Sequence, residues 1–132
     1  MKTIAFRFLS FAAGALLLAG CDPVTSDFNC TADFRFGLNV TVVDSVTNAP
    51  PASAVLIART GAVVDSVGPA TPQQLVLNGP PVLLLGAAGE RPGTYDLTVR
   101  APGYRDWTRN GVTVTADECH VRSVAVTARL QP

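Results

Sequence analysis

Apolar and polar positions alternate with a period of two along several stretches of the chain, which is the signature of half-buried β-strands. In Phe34-Arg35-Phe36-Gly37-Leu38-Asn39-Val40-Thr41-Val42, residues Phe34, Phe36, Leu38, Val40 and Val42 share one face. In Thr94 to Arg100, Tyr95, Leu97 and Val99 point one way while Asp96, Thr98 and Arg100 point the other. From His120 to Leu130, Val124, Val126, Ala128 and Leu130 oppose Ser123, Thr127 and Arg129. Ala54 to Ala58 is apolar on both faces, so it reads as a strand of open register, and Ala62 to Val67 reads as another. Tyr104 to Thr108 begins a further strand, which Gly111 to Thr115 resumes after the turn-like Asn110-Gly111. Leu75-Val76-Leu77 and Val82 to Leu85 flank the turn Asn78-Gly79-Pro80-Pro81, and the second piece fits a strand or a short helical turn equally well.

Between these stretches lie turn and loop residues. They are Asp44 to Pro51, Gly68 to Gln74, Gly86 to Gly93, Ala101-Pro102-Gly103 and the hairpin Ala116-Asp117-Glu118. Short strands with frequent turn signals predict an all-β sandwich. Composition agrees: Val, Thr, Ala, Gly and Pro dominate and long helical patterns are missing.

The N-terminal stretch has a different layout. Lys2 and Arg7 precede an apolar run from Phe8 to Leu18, and Leu18-Ala19-Gly20-Cys21 closes it. A basic start, a short apolar core and small residues before a cut form a secretory signal peptide. The run is short of the roughly 20 apolar residues that span a bilayer. Cys21 after the small pair resembles the lipobox of bacterial lipoproteins. That resemblance implies cleavage before Cys21 and two or three acyl chains, such as palmitate, on the mature N-terminus. Several chains suffice for stable anchoring. The predicted organisation is a signal peptide over 1–20, a tether over 21–29 and one domain over 30–132. Location follows: the bacterial envelope, periplasmic or surface-facing. Asp22 resembles the inner-membrane retention signal of enteric bacteria, a rule that differs between lineages, so the choice of membrane stays open.

Beyond Cys21 the only cations are arginines, slightly outnumbered by acidic residues. With no basic run, a nucleic-acid partner has no electrostatic support. Cys30 and Cys119 remain once Cys21 is assigned to lipid. In an exported protein such a pair reads as one disulfide. A zinc site would be short of ligands, with His120 the only neighbour of the right kind.

Gly93-Thr94-Tyr95-Asp96-Leu97-Thr98-Val99-Arg100-Ala101-Pro102-Gly103-Tyr104 resembles the Gly-x-Tyr-x-Leu-x-Val-x-Ala-x-Gly-Tyr strand and turn of carboxypeptidase regulatory-like domains. Val42 to Pro51, Ala54 to Ala58, Val112 to Val114 and Val124 to Leu130 fit that family's other strands. The resemblance implies a seven-stranded, transthyretin-like Greek-key sandwich and a non-catalytic accessory module. Pro69 to Glu90 departs from it, being longer and without the family's Asp-Gly-Phe turn, so the order of the middle strands is left open.

Candidate chemistry is sparse. His120 is the only histidine, and Gly-x-Ser-x-Gly is absent. The transthyretin-like hydrolases that open hydroxyisourate use several histidines and a specific C-terminal tetrapeptide, whereas this sequence reads Arg129-Leu130-Gln131-Pro132 there. Asp117-Glu118 offers too few oxygens for calcium, and Glu90-Arg91 reads as structural. Tyr104, Arg105, Trp107 and Arg109 form the one cluster of residue types that dominate interfaces. The expected protein is therefore a lipid-anchored, non-enzymatic binding or scaffolding sandwich, with no cofactor and no metal. Its expected partners are the membrane, through Cys21, and an envelope protein or glycan. Two rivals are an accessory lipoprotein of a secretion or adhesion machine and a small envelope hydrolase using His120.

Overall fold

The computed structural model describes residues 29–73 and 80–132. The expected signal peptide, Cys21, most of the tether, the Leu75–Leu77 strand and the turn residues Asn78-Gly79 lie outside the described residues. The described chain forms β1 (Phe36–Asp44), β2 (Ala54–Thr60), β3 (Val63–Ala70), β4 (Leu84–Gly89), β5 (Gly93–Arg100), β6 (Trp107–Ala116), β7 (Val121–Arg122) and β8 (Val124–Leu130). Two sheets result, ordered β4-β1-β8 and β3-β2-β5-β6-β7. The all-β, sandwich-like class expected from the alternation is what the chain forms.

Inward rows from both sheets fill the space between them. Leu38, Val40 and Val42 of β1, Leu85 and Ala87 of β4, and Val126, Ala128 and Leu130 of β8 line one side. Leu56 and Ala58 of β2, Tyr95, Leu97 and Val99 of β5, and Val112 and Val114 of β6 line the other. Tyr95 is the one fully buried aromatic ring among the described residues, and its hydroxyl donates to the Arg91 carbonyl at 2.9 Å. A buried phenol normally finds such a partner. The Arg91 guanidinium in turn meets Asp65 of β3 at 2.9 Å, and Asp65 also accepts the Ala88 N–H at 3.0 Å. That carboxylate thus links the edge strands β3 and β4 of the two sheets.

Several local expectations change. Phe34 and Phe36 do not join the inward row of Leu38: they are 66% and 44% exposed. Gly37 and Leu38 are both buried, so alternation breaks there. The Phe36 ring instead lies over Gly86 and the Phe34 ring over Gly89, where a β-carbon would collide with them. The third strand runs on to Ala70, through the Gly68-Pro69 that reads as loop. It can do so because β3 is a sheet edge, where a residue without an N–H is tolerated. Gly86 to Gly89, also expected as loop, extends β4 by pairing with β1, so tertiary pairing overrides weak strand propensity. β6 is one strand rather than two pieces. Its register against β5 jumps between Tyr95↔Val112 and Leu97↔Arg109, and Gly111, at φ 71°, takes the bulge. The last strand is divided: Val121–Arg122 pairs with β6, and Val124 onward pairs in parallel with β1. The chain changes sheet at Ser123, whose hydroxyl donates to the Phe36 carbonyl at 2.6 Å.

Candidate functional site

The strand directions give the sandwich two distinct ends. At one end lie the start of β1, the β2–β3 turn, the end of β4 and the hairpin after β6. At the other lie the end of β1, the β5–β6 loop and the end of β8. A nine-residue strand such as β1 separates the ends by about 30 Å.

The first end is a latch on the segment that enters the domain. Cys30 and Cys119 are disulfide-bonded, as their pairing in an exported chain predicts, with Cα atoms 5.3 Å apart. The hairpin carrying Cys119 is shaped by Asp117, whose carboxylate accepts the N–H groups of Cys119 at 3.0 Å and His120 at 2.9 Å. Those bonds hold the Asp117 carboxyl below its usual pKa. His120 bridges two elements: its Nδ1 meets Glu90 Oε1 at 2.9 Å and its Nε2 meets Thr31 Oγ1 at 3.1 Å. Glu90 also accepts the Arg35 N–H at 2.8 Å and the Val121 N–H at 3.2 Å. Partial burial works against the charge of Glu90, but the bonds from Arg35, His120 and Val121 outweigh it and hold the pKa down.

Thr31, His120 and Glu90 thus form a hydroxyl–imidazole–carboxylate chain on a shallow cleft of about 300 Å³. Neither Thr31 nor Glu90 stands out as a partner of His120 in the sequence, because they lie 89 and 30 residues away. A nucleophilic triad needs, beyond this chain, N–H groups aimed at a developing oxyanion. Here the N–H groups of Cys119 and His120 are bound to Asp117, and those of Arg35 and Val121 to Glu90. Two of these four N–H groups shape the hairpin through Asp117, and the other two tie Glu90 to Arg35 and Val121.

The second end carries the expected recognition cluster, and the structure divides it. Trp107 pairs with Val99 and shares its inward side, and it is half-buried against the core. Tyr104 is half-buried too, and its hydroxyl donates to Asp44 at 2.9 Å. Arg105 and Arg109 are exposed, while Asp106 pairs with Arg100 at 2.8 Å. Sequence alternation carried no sign of Asp44, yet it organises this end. Its other oxygen accepts the N–H groups of Val46 at 2.7 Å and Thr47 at 2.8 Å, which closes the β1–β2 turn. The Thr47 and Val46 bonds, then the Tyr104 bond, lower the Asp44 pKa. The same contact with Asp44 raises that of Tyr104.

A pH dependence follows. A carboxylate whose folded pKa is depressed contributes stability above its unfolded value, near 4, and loses it as pH falls through the folded value. Asp44→Asn is therefore expected to lower the urea midpoint clearly at neutral pH and progressively less as the pH falls through the folded value, where wild type loses the same contribution. A midpoint gap that stays constant over that range would mean that Asp44 acts only through its shape.

No protein-family model matches this chain, and a search of curated proteins finds no match in sequence.

Proposed function

We propose that this chain is a bacterial envelope lipoprotein, anchored through acyl chains on Cys21, whose sandwich is a non-catalytic binding or scaffolding module of the carboxypeptidase regulatory-like, transthyretin-like type. The observation that carries the reading is the polarity of the domain. Residues 29–35 are stapled to one end by the disulfide and the Thr31–His120–Glu90 chain. The exposed Arg105 and the half-buried Trp107 sit at the other end. A tether entering at the stapled end leaves the Tyr104–Arg109 loop and strand start at the end remote from the attachment point. There, guanidiniums can fork onto carboxylates or sugar hydroxyls of an envelope partner.

Cys21→Ser is expected to abolish incorporation of a fatty-acid analogue and to release the protein from the membrane fraction. Equal label in variant and wild type would remove the anchor from this reading.

The Thr31–His120–Glu90 geometry favours a second reading, an envelope hydrolase acting on esters. Labelling with a fluorophosphonate separates the two. A binding module stays unlabelled, whereas label that disappears in Thr31→Ala would put the hydrolase first.

A further inference from the structure

Among the described residues, six large apolar side chains are exposed: Phe34, Phe36, Val46, Val63, Val64 and Leu84. Their distribution is uneven. Phe34, Phe36, Val63 and Val64 all lie at the stapled end, beside the start of β1 and the β2–β3 turn. Phe34, Phe36 and Val64 border one groove between β4 and β3.

The two phenylalanines are held in place rather than merely left outside. Their rings meet edge to face, with centroids 5.2 Å apart and planes at 89°. Gly86 and Gly89 form their seat, and any β-carbon at either position would collide with a ring. Arg35, between them in sequence, bonds through its backbone to Glu90: its N–H donates to the carboxylate and its carbonyl accepts the Glu90 N–H at 3.0 Å. The pair is therefore presented on a rigid support, four residues past a disulfide.

Chain length decides what can cover it. Eight residues lie between Cys21 and Cys30, and the nine steps from one to the other reach at most about 30 Å even when fully extended. If Cys21 is held at a bilayer, the stapled end cannot leave its neighbourhood. A tether this short keeps the patch at high effective concentration over the lipid, so even a weak affinity is saturated. Aromatic rings favour the headgroup level, and a cation such as the exposed Arg35 meets lipid phosphates there.

We infer that Phe34 and Phe36 dip into the bilayer interface and, with the acyl chains, make a second contact that sets the sandwich upright on the membrane. The inference rests on the anchor reading above. It adds an orientation that acyl chains alone do not impose.

The test uses the full chain, coupled through the Cys21 thiol to a maleimide headgroup lipid in phosphatidylcholine vesicles with brominated acyl chains. The other two cysteines are bonded, so coupling is specific. Phe34→Trp and Phe36→Trp are examined separately, so a folding failure in one leaves the other to decide. The single natural tryptophan, Trp107, serves as the reference at the far end. The indole introduced at position 34 or 36 is expected to lose about half its emission to bromine, as a ring seated at the headgroup–acyl boundary does, while Trp107 loses none. Unquenched indoles at both positions on coupled vesicles overturn the inference and assign the pair to a protein partner or a second copy. Equal quenching of Trp107 would overturn it too, because the sandwich would then lie without orientation. The mass of the cell-made protein reports the anchor separately. Lipid on Cys21 without quenching sinks the patch alone, whereas a Cys21 without lipid sinks the anchor and, with it, the inference that rests on it.

Discussion

Replacing Cys30 and Cys119 together by serine is expected to lower the stability of the domain by about 2–5 kcal/mol. The bond spans 89 residues, so it closes a loop around nearly the whole sandwich. The chain-entropy model assigns such a loop about 4–5 kcal/mol of constraint on the unfolded chain. That is a large share of the roughly 5–15 kcal/mol that holds a domain of this size together. The native state loses less. Without the bond, residues 31–35 are still held by the Thr31–His120 contact at 3.1 Å and by two bonds from the Arg35 backbone to Glu90, one to its carboxylate and one from its N–H. The double variant should therefore fold to the same sandwich and unfold at lower urea. Denaturation curves of oxidised wild type and the variant decide this. Coincident midpoints would mean that the reduced, unfolded chain is already compact around this end.

Leu97→Ala is expected to cost about 2–5 kcal/mol, against less than about 1 kcal/mol for its neighbour Thr98→Ala. Leu97 is 1% exposed and sits at the centre of β5. Its loss removes transfer free energy and leaves a cavity whose cost depends on how far the surroundings collapse. Little can move in. Ala58 stands opposite on β2, too small to fill the space, and the β6 bulge at Asn110-Gly111 turns Arg109 to solvent on the other side. Thr98 lies between Ile57 and Thr108 on the outer face and is only half-buried. Equal shifts in the denaturation midpoints of the two variants would show that the register of β5 is wrong.

Much of this fold is legible in the residues because its inward rows follow a period of two. Tyr95, Leu97 and Val99 are buried as their spacing predicts, and Val126, Ala128 and Leu130 likewise. The rule fails wherever a strand departs from regular pairing. Phe34 and Phe36 look like core residues, yet they lie outside because two glycines on β4, some 50 residues later, provide a surface for their rings. His120 to Leu130 looks like one strand, yet it serves two sheets because Val121 and Val126 are buried on opposite sides of a change of sheet at Ser123. Asn110-Gly111 reads as a turn, and a backbone with φ 71° at Gly111 is shared by turns and bulges, so only the partner strand distinguishes them.

The candidate sites divide along the same line. The Cys30–Cys119 pairing is readable from residue type and from the export that the N-terminal stretch predicts, since two cysteines admit one intramolecular bond. The latch around it is not readable: Thr31, Glu90 and His120 come from three separate segments, and hydrogen bonding leaves no periodic trace in a sequence. The cluster from Tyr104 to Arg109 is readable as a set of interface-prone side chains. Only the tertiary structure turns Trp107 inward beside Val99 and ties Tyr104 to Asp44, sixty residues before it. Local alternation and turn chemistry therefore determined the class of fold and most of its core, because strand burial is a short-range pattern. Pairing between distant strands decided which aromatics face water, which carboxylates act as hubs and which end of the sandwich holds the entering chain, because those depend on neighbours that the chain order separates.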